Sequence, residues 1–342
     1  MPWNQEIDLA KMKFTTRLIA ERAIGRGWGV RSFETNAAIL LLQIPGRARP
    51  LKIFSASPPQ MAYSAVKIAK DKYITNQLLG DAGLPVPAEI LLSSASKGAE
   101  DIQKVEDFLK INPRVVVKPL DSAHGKGITV DVRDIDKFKQ AVDIAAEHSL
   151  RGRILVQEQI DGFDVRTVCI NYKFVDSMSR SPAAVTGDGQ LSVEQLIDQT
   201  NASSERGENY KARLNIIPKD KVLQYIGEEG MKKIPASGEV VNVMGISNIG
   251  TGGERENVKN KIPAFLREMS EQASRILDLP VTGVDFLIAS EPNPGSTKEE
   301  LKPYIIEVND CPSLTVYEDL HSPEQNQLID TYLDYVATSP ID

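Results

Sequence analysis

The 342-residue chain predicts a mixed helix–sheet protein of the α/β or α+β class. Three observations predict it. Helical and strand periodicities alternate along the chain instead of segregating into separate halves. Hydrophobic residues make up 41% and charged residues 25%, the balance of an ordinary globular chain rather than a disordered one. The apolar runs are short, residues 37–44 being among the longest, whereas a bilayer span needs ~20.

Other functional classes are disfavoured by the same counts. Forty Lys+Arg stand against 47 Asp+Glu, a net charge of −7. A duplex nucleic-acid binder usually carries a basic face, so no nucleic-acid partner is expected. Cys169 and Cys311 cannot make a disulfide framework, and His124, His148 and His321 show no zinc-finger spacing. The start, MPWNQEIDLAKMKF, lacks the basic and then apolar regions of a secretory signal. The expectation is a reduced, cytoplasmic protein with no membrane partner.

The elements follow in order. Phe14, Leu18, Ile19 and Ile24 keep helical spacing until Gly25–Gly29 breaks it, and residues 38–44 and 51–54 read as buried strands around Pro45-Gly46. Together they predict a small N-terminal α/β unit over residues 1–66. Past Ser57-Pro58-Pro59, residues 63–79 predict one helix, and Pro85 and Pro87 then force extended chain. Helix 100–109, strand 115–118, a glycine loop at 121–127, strand 128–132, helix 138–146 and strand 154–157 complete a unit over 67–160.

The remaining residues, 161–342, open on strand over 165–175 with a hairpin turn near Asn171. A short helix is expected at 192–199 and a long polar loop at 202–219. An amphipathic helix covers 263–277, and 281–288 and 304–308 read as paired strands around a surface excursion at 291–303.

Three clusters could carry chemistry. Val115-Val116-Val117-Lys118-Pro119 ends an apolar strand on a lysine, and the loop behind it holds His124, Gly125 and Gly127. Glycines let backbone N–H groups approach phosphate oxygens, and the lysine adds a point charge. It is not a Walker loop, because the lysine precedes the glycines. In the second cluster, strand periodicity puts Glu307 and Asn309 on one face with Ile306 and Val308 on the other, and Asp285 likewise opposes Val284 and Phe286. If those strands pair, three oxygen donors converge, a set suited to Mg²⁺ that completes its octahedron with water and phosphate. The third runs through Glu158, Gln159, Ile160 and Asp164, a strand exit whose backbone could meet an adenine edge and whose carboxylates could accept from amino or ribose groups.

Taken together the chain resembles the ATP-grasp family, most of all the ATP-grasp part of cyanophycin synthetase and of the bifunctional glutathione synthetase. The likeness runs from about Lys67 to Asn309. It rests on Ile68-Ala69-Lys70-Asp71-Lys72, Ala82-Gly83-Leu84-Pro85-Val86-Pro87, Val117-Lys118-Pro119-Leu120, the Arg180–Gly189 stretch and Thr251-Gly252-Gly253, in order.

The resemblance implies the α+β ATP-grasp fold, with ATP and Mg²⁺ as cofactors. Lys72 and Lys118 would hold the triphosphate, with the His124, Gly125 and Gly127 loop closing over it. Glu158, Gln159 and Ile160 would line the adenine pocket, Asp164 would sit near the ribose, and Thr251, Gly252 and Gly253 near the reacting phosphate. Asp285, Glu307 and Asn309 would hold the metal, and Arg166 and Arg180 would grip the substrate carboxylate or the tetrahedral intermediate. The implied activity is a stand-alone ligase joining a small carboxylate to an amine, an amino acid or short peptide, through an acyl phosphate. A kinase of a small hydroxyl compound and a non-catalytic nucleotide binder are the alternatives. Homo-oligomerisation enters the expectation because relatives are often oligomers.

Overall fold

A computed structural model describes residues 3, 7–95, 98–121, 126–207, 214–245, 247, 249–317, 327–338 and 340. The N-terminal unit is helix α1 (Phe14–Gly25) against an antiparallel sheet of β1 (Gly29–Ser32), β2 (Ile39–Gln43) and β3 (Leu51–Phe54). Strand β1 escapes the sequence reading because only Val30 of its four residues is buried.

The helix predicted over 63–79 is two helices, α2 (Tyr63–Ala69) and α3 (Lys72–Asp81). Asp71 sits between them in extended conformation, and its carboxylate caps α3 by accepting from the Ile74 N–H at 3.1 Å. An N-cap in the middle of a periodic run reads as helix from the pattern alone.

A four-stranded antiparallel sheet follows, ordered β4 (Glu89–Ser93), β7 (Arg153–Glu158), β5 (Val115–Pro119), β6 (Thr129–Val132). Helices α4 (Ala99–Ile111) and α5 (Ile135–His148) cover it, sealing a core around Val115, Val117, Phe138, Val142 and Ile154.

A five-stranded antiparallel sheet comes next, ordered β12 (Glu254–Asn257), β9 (Lys173–Ser181), β8 (Phe163–Ile170), β13 (Val281–Ile288), β14 (Tyr304–Asn309). The hairpin expected near Asn171 joins β8 to β9, and Asn171 and Tyr172 both take positive φ there. Helix α8 (Ala264–Ile276) buries one sheet face with α2 and α3, around Ala69, Leu79, Val284, Phe286 and Leu266. Near the other end Val168, Ile170 and Met178 share a core with the N-terminal unit and α10 (Leu328–Ala337).

Strands β10 (Ala184–Thr186) and β11 (Val240–Asn242) carry helices α6 (Val193–Asn201) and α7 (Lys219–Lys232) on a separate small core. The loop expected at 202–219 holds among its described residues up to Lys219, where α7 begins; that helix has no counterpart in the sequence reading, and its Gly227 has a non-helical backbone that hides the period. The 291–303 excursion contains a one-turn helix, α9 (Lys298–Leu301), which buries Leu301. Among the described residues no helix is long and apolar enough to cross a membrane.

Candidate active site

Antiparallel register assembles the centre of the site. Asp285 of β13 lies opposite Arg166 of β8 on one side and Glu307 of β14 on the other, and Asp164 of β8 lies opposite Arg180 of β9. Residues two apart in a strand share a face, so these five side chains emerge together. Asp285 is 2% exposed and takes 2.5 Å bonds from Arg166 Nε and Nη2 and a 3.0 Å bond from Arg180 Nη2. Arg180 also donates from Nε and Nη2 to Asp164, at 2.8 and 3.0 Å.

The two acids differ in proton affinity. Burial would raise the Asp285 carboxyl, yet the Arg166 and Arg180 guanidiniums outweigh it and hold that group below the usual carboxylate range. Asp164 has less help, and burial pushes it up to about 6 against the pull of Arg180. Despite its own burial, Arg166 is held above its ordinary value by Asp285. The arginines are therefore buried ion-pair partners, and the Asp164 carboxylate, expected near a ribose, is engaged by Arg180.

Strand β14 departs from simple alternation. The register slips between Asp285 and Phe286, so Ile305 and Val308 are the buried residues, at 1% and 3% exposure, and Ile306, expected in the core, is not. This bulge leaves Glu307 beside Asp285. Asn309 pairs with Gly283, where an added Cβ would come within 3.3 Å of Pro312 Cβ. Its buried Nδ2 has no hydrogen-bond partner among the described residues.

The lysines arrive from other elements. Lys72, in the first turn of α3, places Nζ 3.6 Å from Glu307 Oε1. Thr75, Asn76 and Glu307 line the cleft beside it. Lys118, near the end of β5, donates to Gln157 Oε1 at 2.8 Å. Burial and the neighbouring Lys72 push its ammonium down to about 8, against the opposing pull of Glu307 and Glu89. Of two lysines distant in sequence, Lys72 thus pairs with the Glu307 carboxylate and Lys118 lies within electrostatic reach of both.

The strand exit and glycine loops are placed less simply. Glu158 holds Ala88, just before β4, by its N–H donating to Ala88 O and its side-chain Oε2 accepting from the Ala88 N–H. The Gln159 side chain accepts from the Asp131 N–H at 2.6 Å and donates to Asp161 at 3.0 Å, so it ties down the link between the sheets. Ile160 lies half-buried in that link. Gly127 has φ of 72° and packs against Pro119 and His148; His124 and Gly125 lie outside the described residues.

Thr251, Gly252 and Gly253 are buried. Gly252 has φ of 83°, and a Cβ there would fall 2.7 Å from Ile217 Cγ1. The loop hangs from Arg206, 8% exposed, which donates to Gly252 O at 2.8 Å and Asn215 O at 2.9 Å. Nothing in a lone arginine within a polar stretch signals that role. Replacing Gly252 with valine should displace the loop, since both the backbone region and the space are denied to a branched side chain. A fall of more than ~10-fold in turnover is expected, together with a loss of ~1–3 kcal/mol that lowers Tm by several degrees, and wild-type turnover would contradict it.

The donor set is compatible with Mg²⁺. Among the described residues no three His, Cys, Asp or Glu side chains gather as a metal cluster, and here the third donor would be an amide. An ionised carboxylate offers about four lone-pair positions, and Asp285 spends three on the arginines. Glu307 faces the cleft at 39% side-chain exposure. Asn309, whose Nδ2 is the atom left without a partner among the described residues, would bring its Oδ1 as a hard oxygen of the kind this cation takes.

The profile of the family described as sugar-transfer associated ATP-grasp matches residues 57–156, and that of the tubulin-tyrosine ligase family matches residues 270–342. A cyanophycin synthetase of Crocosphaera subtropica is 33% identical over 258 residues, 74% of this chain and 28% of that protein. The glutathione biosynthesis bifunctional protein GshAB of Listeria innocua is 26% identical over 330 residues, 95% of this chain and 41% of that protein. The chain thus spans well under half the length of these curated relatives. A bifunctional glutathione synthetase structure from Pasteurella multocida superposes with a TM-score of 0.65 at 21% identity, over 94% of this chain and 44% of that one, a likeness of fold.

Proposed function

Because this chain belongs to the ATP-grasp superfamily, we propose that it is an ATP-dependent carboxylate–amine ligase, forming an amide or peptide bond and releasing ADP and phosphate. The observation that carries the reading is the Lys72–Glu307 pair at 3.6 Å, with Lys118 within electrostatic reach of both, beside the Arg166–Asp285–Arg180 network. One group of residues can bind polyphosphate and the other can steady an anionic reacting centre.

In this reading the substrate carboxylate attacks the γ-phosphorus of ATP. A new O–P bond forms as the bond to ADP breaks, giving an acyl phosphate. The amine then adds to the acyl carbon, loses a proton, and phosphate departs. Lys72 and Lys118 neutralise the triphosphate and align it for in-line transfer. Each guanidinium has five N–H donors, and Arg166 spends two on Asp285, so the arginines can also bind a developing oxyanion. Mg²⁺ held by Asp285, Glu307 and Asn309 would offset charge on the transferring group. The Thr251–Gly253 loop, braced by Arg206, would shield the acyl phosphate from water.

The test is a panel of amino acids and short peptides incubated with ATP and Mg²⁺, read by phosphate release and product mass. Substrate-dependent ADP, phosphate and an amide support the ligase. A phosphomonoester without an amide would make it a kinase, and no substrate-dependent ADP would leave only a binder.

A pH dependence accompanies the reading. Lys118 sits at about 8 before nucleotide arrives, and only its protonated form grips phosphate. The Kd for ATP should hold below pH 8 and weaken above it, approaching ~10-fold per pH unit for a single linked proton. Titration by calorimetry from pH 7 to 10 checks this. A flat profile across pH 8–9 would remove Lys118 from the phosphate site.

A further inference from the structure

We propose that Glu89 and Gln157 form a positioning relay that holds the Lys118 ammonium in place for phosphate, so that Glu89 acts on the nucleotide without touching it. The assignment rests on the nucleotide-binding part of the reading above and adds two residues that the sequence did not single out.

Three neighbouring strands build the relay. Glu89 of β4 lies in register with Gln157 of β7, and β7 pairs in turn with β5, which carries Lys118. Gln157 is 6% exposed. Its Nε2 donates to Glu89 Oε2 at 2.8 Å, and its Oε1 accepts from Lys118 Nζ at 2.8 Å. The amide can serve both neighbours in one orientation only. An ammonium has donors and no acceptor, an ionised carboxylate acceptors and no donor. The Gln157 oxygen must therefore face the lysine. The carboxylate polarises the amide, and the amide passes that polarisation to the ammonium.

The groups facing Lys118 show what the relay opposes. Lys72 of α3 repels it, whereas Glu307 of β14 and Glu89 of β4 attract it. Before a polyphosphate enters, two ammoniums share the cleft and each favours turning the other away. Gln157 gives Lys118 a fixed partner that leaves its remaining N–H groups for phosphate.

Local stability offers little reason for a carboxylate at position 89. Burial pushes Glu89 up to about 7, against Gln157, Lys118 and Asn76, while Asp71 adds to the rise. Its Oε1 is buried with no hydrogen-bond partner among the described residues. Partial burial of a carboxylate costs free energy that an apolar side chain would not. What the position supplies, whenever the carboxyl is ionised, is negative charge two hydrogen bonds away from a phosphate lysine.

The test compares ATP with adenosine, because the relay acts on the phosphate end alone. In Glu89→Gln and Gln157→Leu, ATP affinity by calorimetry should fall about tenfold, the size of a lost charge-assisted hydrogen bond, while adenosine affinity stays at the wild-type value. The double variant should be no weaker than Gln157→Leu, since the two residues act in series. Wild-type ATP affinity in either variant overturns the relay, as does parallel weakening of ATP and adenosine, the signature of a general structural role. Glu89→Gln keeps shape and hydrogen-bonding capacity, so it carries the test if Gln157→Leu fails to fold. Binding is read, not turnover: a wild-type protein that binds ATP but ligates nothing would sink the ligase reading and leave the relay standing.

Discussion

Glu307→Gln should lower ATP-dependent ligation by at least ~100-fold while Tm stays within about 2 °C of wild type. The substitution keeps the side-chain shape and removes one negative charge. That charge faces Lys72 Nζ at 3.6 Å across a cleft, with 39% of the side chain exposed. A half-exposed carboxylate contributes little to folding through such a pair, because solvent screens it. Its value lies at the phosphates, where it would ligate the cation and keep Lys72 aligned. Phosphate release measured beside a thermal melt separates the two effects. A variant with full activity would remove Glu307 from the metal set, and a collapsed melt would make it a structural residue.

Asp285→Ala should do the opposite, destabilising the fold by about 3–5 kcal/mol, the usual cost of breaking a buried ion pair from one side. The reason is what it leaves behind. Arg166 and Arg180 are only 18% and 10% exposed, and each points an N–H group at this carboxylate. Arg180 keeps Asp164, but Arg166 loses both of its bonds to Asp285. A fall in Tm of about 10 °C is expected. Adding Arg166→Met should recover part of it, because the orphaned charge goes with its partner. A melt unchanged by Asp285→Ala would show that the network contributes nothing to folding. The contrast matters for interpreting inactive variants: lost activity at Glu307 reports on chemistry, whereas at Asp285 it mixes chemistry with unfolding.

Legibility differed from residue to residue for physical reasons. The β13 and β14 strands were visible because their apolar runs are long and bounded by turn residues, and their pairing followed from proximity. The facing of Glu307 toward Asp285 was anticipated, but by simple alternation, and the bulge that leaves Ile306 only half-buried has no sequence mark. Helices α2 and α3 merged in the pattern because the apolar period continues across Asp71, whose cap geometry exists only in three dimensions. Helix α7 was lost to the opposite cause, a glycine with positive φ that breaks the period inside a helical segment.

Composition and periodicity by themselves determined the class of fold, and the ordered motifs carried the resemblance to ATP-grasp that pointed to the lysines, arginines and acids to examine, because strand and helix periods, glycine positions and motif order are properties of the linear chain. Only the tertiary structure decided which of those charges neutralise one another. Asp164 and Asp285 go to arginines, Glu307 to Lys72, and Lys118 to an amide backed by Glu89. The physical reason is that electrostatic partnership depends on distance and burial. Residues 118 and 157, or 166 and 285, become neighbours only through strand register across sheets that the linear pattern does not order.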